Sequence, residues 1–90
     1  MTLIPNKHYQ HRYGGIYKVQ DISLSTVDKS VWVVYTHVYP FEQNTWHRPY
    51  EEFTDGRFTE ISTEDLMYFC AKDKDKFQLE ISVARSKKDK

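Results

Sequence analysis

The nine residues from Val31 to Tyr39 constrain this chain more than any other stretch. Val31-Trp32-Val33-Val34-Tyr35-Thr36-His37-Val38-Tyr39 is dense in β-branched and aromatic side chains, which fit a pleated, partly buried surface better than a helix. Apolar residues fall on both parities, so the reading is a strand covered on both sides within a curled sheet. Pro40 ends it, because proline has no N–H for the ladder. Phe41 to Asn44 reads as a hairpin connection, and Thr45-Trp46-His47-Arg48 as a short returning strand stopped by Pro49. The chain is therefore expected to be mostly β.

The flanking segments fit that class. Ile16 to Val19 reads as a strand that continues, with a kink, through Ile22 and Leu24, and residues 25–30 are polar enough for a turn. Gly14-Gly15 marks a turn or a close backbone approach. The first 13 residues read as a polar and aromatic arm in which Pro5 disfavours a helix start. Tyr50 to Phe53 suits one helical turn with Pro49 near its start. Asp55-Gly56 is a turn signal, and Arg57 to Ile61 a short strand with Phe58 and Ile61 inward. Ser62-Thr63-Glu64-Asp65 begins a short helix, since the hydroxyl caps and the acids suit the positive helix end. Leu66, Phe69 and Cys70 form its apolar face, through Ala71. Lys72 to Lys76 reads as a solvated loop. Phe77, Leu79, Ile81 and Val83 alternate with Gln78, Glu80 and Ser82, the pattern of a half-buried strand. Arg85 to Lys90 has no apolar residue and reads as a frayed basic tail. The expected organisation is one domain over residues 1–84 and a flexible tail over 85–90.

Ninety residues suffice for one domain with a modest core, and 16% aromatic residues are more than that core needs. Thirteen Lys and Arg balance thirteen Asp and Glu. A dedicated binder of long DNA or RNA carries a basic footprint, so a nucleic-acid polymer is disfavoured as partner, while one small anion needs only one or two cations. Cys70 is the only cysteine, so neither an internal disulfide nor a multi-cysteine metal site can form. Met1 to Lys7 lacks a signal-peptide apolar run, and no stretch approaches the length of a membrane span. These observations predict a cytoplasmic protein without a membrane partner.

Two ordered blocks carry a family resemblance. The first is Tyr-x-His-x-x-Gly-Gly-x-Tyr-x-Val, formed by Tyr9, His11, Gly14, Gly15, Tyr17 and Val19. The second is Val33-Val34-Tyr35, Tyr39, then Trp-x-Arg-Pro-x-x-x-Phe at Trp46, Arg48, Pro49 and Phe53. Together they resemble the domain of unknown function 1653 family of bacteria and phages, over about half the chain. The resemblance implies a small SH3-like β-barrel with a short helical turn after Pro49. A helix and a strand beyond Phe53 are then expected as C-terminal additions.

The candidate chemistry is sparse. His8 and His11 are three apart, and His37 and His47 could meet across a hairpin, but zinc needs three or four converging ligands and no such motif exists. Cys70 lies among apolar residues, where cysteines are inert packing. No nucleophile elbow, Walker loop or dinucleotide glycine pattern occurs, and Glu51-Glu52 diverge on a helical turn. The sequence thus predicts neither enzyme, cofactor nor metal. The better signal is aromatic: Tyr9, His11, Tyr17, Tyr35, Tyr39, Trp46 and Arg48 are the candidate ligand-binding residues. Aromatic faces stack on rings, and a guanidinium suits phosphate or carboxylate. Trp46 and Arg48 share strand parity and should point to one face. The competing reading puts Trp46 in the core and pairs Arg48 with Glu51 or Glu52.

Three functions follow. The first is a binder of a small anionic, ring-bearing ligand such as a signalling nucleotide; in a phage such a protein could sequester a host immune signal. The second is a protein-interaction module that takes a partner protein in an aromatic groove, or a copy of itself along the 77–83 strand edge. The third, nucleic-acid binding, is lowered by the neutral charge.

Overall fold

The computed structural model describes residues 5–88. The strands are β1 (His8–His11), β2 (Ile16–Leu24), β3 (Val31–Tyr39), β4 (Thr45–Pro49) and β5 (Phe58–Ile61). The helices are α1 (Tyr50–Phe53), α2 (Thr63–Cys70) and α3 (Lys74–Lys88). All five strands form one antiparallel sheet in the order β4-β3-β2-β1-β5. It curls in a barrel-like manner without closing, leaving β4 and β5 as edges. The chain is mostly β, as the sequence predicts.

The long strands lie where their composition puts them. The expected kink in β2 is a register shift between Val19 and Asp21. In β3 burial alternates, with Val33, Tyr35 and His37 buried on one face and the other face half-covered, so coverage is less symmetrical than apolar content suggests. β1 is an element that the polar arm conceals. Tyr9 is its only fully buried residue, and the strand is specified by pairing with both β2 and β5 rather than by pattern.

The main core lies on the sheet face that carries Val33 and Tyr35 and comprises Tyr9, Val19, Val33, Tyr35, Phe53 and Phe58. Pro49 sits at the start of α1, whose one turn delivers Phe53 onto Phe58 with ring centroids 4.0 Å apart. Ser62 caps α2 in a reciprocal box with Asp65, the start that Ser-Thr-Glu-Asp signals. Leu66 and Phe69 pack inward from α2, but Cys70 is exposed, which corrects its expected burial. Slight desolvation raises its thiol pKa, the wrong direction for an activated nucleophile.

The largest departure lies at the C-terminus. Residues 77–83, expected as a strand, belong to α3. Of the alternating apolar residues only Phe77 and Ile81 are buried, whereas Leu79 and Val83 are exposed. Asp73 starts the helix: its carboxylate accepts from Lys76 N–H at 3.0 Å and its carbonyl from Phe77 N–H at 2.9 Å. Phe77 and Ile81 join Ile16 in a second cluster, with Tyr39, Phe41 and Phe69 around it. The helix continues through Arg85 to Lys88, so those residues of the expected tail are ordered helix, while 89–90 lie outside the described residues. A helical 77–83 segment presents no ladder edge, which removes self-pairing through that segment.

Candidate ligand-binding cleft

A cleft of about 780 Å³ opens between the β3–β4 hairpin and α3. That lies within the roughly 300–1,000 Å³ of small-molecule sites. Tyr17, Tyr35 and His37 form its floor, Phe41, Asn44, Trp46 and Arg48 one wall, and Lys74, Gln78 and Arg85 the other.

The floor is aromatic and pre-arranged. Tyr17 packs edge-on against Tyr35 at 5.3 Å and His37 at 4.6 Å between centroids. Backbone pairing aligns them, since Tyr17 lies opposite His37, and Tyr35 opposite Trp46. His37 is buried, and its Nε2 accepts from Phe41 N–H at 3.0 Å. Acceptance at Nε2 requires a neutral ring, and burial lowers its pKa accordingly, opposed in part by a hydrogen bond with the Tyr39 backbone. Gly15 lies beneath this floor: a Cβ there would meet Tyr17 at 3.1 Å and His37 at 3.2 Å.

The walls carry the charge. Arg48 Nε donates to the Tyr35 hydroxyl at 3.2 Å, its guanidinium lies over Phe58, and its tip reaches Glu52 at 4.0 Å. The expected Arg48–carboxylate pair thus exists, but at the outer limit of contact and without closing the group off. Among the described residues Lys74 and Arg85 make no ion pair. Among the described residues Glu42 is the lone acid in a lining that also holds Arg48, Lys74 and Arg85. Burial raises the Tyr17 phenol pKa, and the positive fields of Arg85 and Arg48 oppose that rise.

Trp46 is 53% exposed and stands at the rim, so it is not core. It and Arg48 share one face, as strand parity requires. Of the candidate residues, Tyr17, Tyr35, Trp46 and Arg48 meet in the cleft, whereas Tyr9, His11 and Tyr39 do not line it. Tyr9 is completely buried against Phe53, which makes it a core residue and corrects its assignment to ligand binding. His11 packs on Phe58, and its Nδ1 accepts from Tyr13 N–H at 3.2 Å, stabilising the turn before Gly14. Tyr39 donates its hydroxyl to the Lys72 carbonyl and packs on Phe77, anchoring α3. His37 and His47 lie apart, because His47 turns to the opposite face and packs on Trp32. Among the described residues no three His, Cys, Asp or Glu side chains converge on a metal position.

The sequence reading missed Lys74, Gln78 and Arg85 altogether. Their spacing of four and then seven is a helical stripe shared with Ile81, a signal hidden by the alternation at 77–83.

The family described as "Protein of unknown function (DUF1653)" matches residues 7–71. The chain belongs to this family. The match runs well past Phe53 and includes β5 and α2, so the C-terminal addition begins later than the sequence blocks suggest. The family segment supplies the cleft floor and the hairpin wall, while the α3 wall lies beyond it. No curated protein and no solved structure matches the chain. No helix among the described residues is long and apolar enough to cross a membrane.

Proposed function

We propose that this family member is a non-enzymatic binding protein for a small anionic, ring-bearing ligand, with a signalling nucleotide as the sharpest case. One observation carries the reading: an exposed Trp46 stands beside Arg48, Lys74 and Arg85 in one cleft, with a single acid among the described lining residues. An indole offers a stacking face at little entropic cost, and the guanidiniums offer planar forks for phosphate. The two histidine acceptors, buried His37 and half-buried His11, hold turns in place and are not poised for proton transfer. Sequestering a host signal is the biological role that such a binder would serve in a phage.

Calorimetry and thermal shift against cyclic di- and trinucleotides and ADP-ribose derivatives test this. Saturable binding with a raised melting temperature is expected for at least one. No response from any of them, at protein concentrations well above micromolar, overturns the reading.

A second reading rests on β4, an edge strand that forms the cleft wall. An extended acidic peptide could pair with it and place a side chain under Trp46. New amide protection along residues 45–49 on adding such a peptide, without any nucleotide response, would favour it.

A further inference from the structure

The cleft has two chemically different ends, and the chain's topology fixes which is which. β4 runs away from the hairpin tip, so Asn44, Trp46 and Arg48 follow one another along the wall, Trp46 and Arg48 about 7 Å apart by strand rise. The opposite wall runs in the same direction. At its beginning Gln78 Nε2 donates to the Pro40 carbonyl at 2.8 Å, which places the first turns of α3 beside the hairpin tip. Arg85 lies at the far end, about 16 Å along the helix from Lys74. The hairpin end therefore carries the amides of Asn44 and Gln78 with Phe41, and the far end carries Arg48 and Arg85. Tyr17 lines the cleft with both arginines, and its hydroxyl, which makes no hydrogen bond among the described residues, is open to solvent. Arg48 is held in place by Tyr35, Phe58 and Glu52, whereas Arg85 is exposed and makes no ion pair among the described residues.

We infer that Arg48, Arg85 and the Tyr17 hydroxyl form a phosphate subsite, so that the ligand is a nucleotide whose phosphoryl group lies at this end. Its base stacks on Trp46 and turns its polar edge toward Asn44 and Gln78. Two guanidinium forks supply donors only, and the phenolic O–H adds one further donor, as a phosphoryl group requires. Amide side chains supply both donors and acceptors, as a base edge requires. Both arginines act electrostatically on Tyr17, in keeping with the lining that the three residues share. One arginine comes from the family segment and the other from α3, so phosphate recognition is completed by the part of the chain outside the family match. The inference rests on the cleft being a nucleotide site and adds the ligand's orientation.

The test is an NMR titration of the full chain with the four ribonucleoside 5′-monophosphates, the matching nucleosides and inorganic phosphate. At least one nucleotide is expected to shift the Trp46 indole and Arg85 Nε–H signals, with its nucleoside binding tenfold or more weakly. In R85Q, an exposed position where folding is unaffected, the nucleotide falls to the nucleoside's affinity while Trp46 still responds. K74Q keeps the phosphate preference. Equal binding of nucleotide and nucleoside, or a preference that survives R85Q, removes the subsite but leaves the cleft as a ring-binding site. A preference abolished by K74Q instead overturns the orientation. No binding by any nucleotide or nucleoside overturns the nucleotide reading itself, and the subsite with it.

Discussion

Gly14 and Gly15 are adjacent in sequence and hold different parts of the molecule. Gly14 has φ +120°, and a Cβ there would meet Ile81 at 3.0 Å and Phe77 at 3.1 Å. It permits the turn and is the seat of α3, while Gly15 lets the Tyr17–His37 floor lie close to the backbone. Gly14→Ala is therefore expected to destabilise by about 1–3 kcal/mol, through strain and overpacking together. A drop in melting temperature measures it; an unchanged transition would mean that α3 is not seated there. His11 supplies a pH prediction. Burial, then the fields of Arg48, Arg12, Arg85 and Arg57, lower its pKa to about 4. Between that value and the ordinary 6.5 the unfolded chain binds a proton that the folded ring does not. Its contribution is thus complete above pH 6.5 and is lost as pH falls toward 4. His8 and His37 are shifted the same way, chiefly by burial. NMR titration of the His11 ring should give a midpoint near 4, and a midpoint near 6.5 would contradict the packing.

At the scale of elements, α3 is held by few but fully buried contacts. Phe77 and Ile81 insert beside Ile16, Tyr39 anchors the preceding loop, and Lys72 reaches Glu80 at 3.3 Å. Ile81→Ala should cost about 2–5 kcal/mol and loosen α3, seen as lost helical circular dichroism with the sheet signal retained. Asp73→Ala should cost about 1 kcal/mol by removing the cap. This helix also shows why the sequence was only partly legible. Phe77 and Ile81 are four apart, which places them on one face of a strand and on one face of a helix alike. Leu79 and Val83 completed an alternation that the fold does not use, since both are exposed. The Asp73 cap was the decisive local signal, and it was masked by the run of alternating charges. β3, β4 and α2 were legible because composition, parity and capping agreed for each.

Across the whole molecule, the core and the cleft draw largely on different residues of one sheet face, with Tyr35 common to both. Tyr9, Phe53 and Phe58 fill the main core, and Tyr17, Trp46 and Arg48 open onto the cleft. Trp46→Ala should leave stability within about 0.5 kcal/mol, because the ring is exposed. It should weaken binding of a ring-bearing ligand by about 1–3 kcal/mol. A large loss of stability would place Trp46 in the core after all. The sequence by itself determined the β class, the β3–β4 hairpin, the turn after Pro49 and the shared face of Trp46 and Arg48, because strand parity and turn chemistry are local. Only the tertiary structure decided that Tyr9 is buried, that residues 77–83 are helical, and that Arg85 joins Arg48 across a cleft. Those outcomes depend on which surfaces meet, and period-two and period-3.6 patterns are equally satisfied by Phe77 and Ile81 until the seat at Gly14 selects the helix.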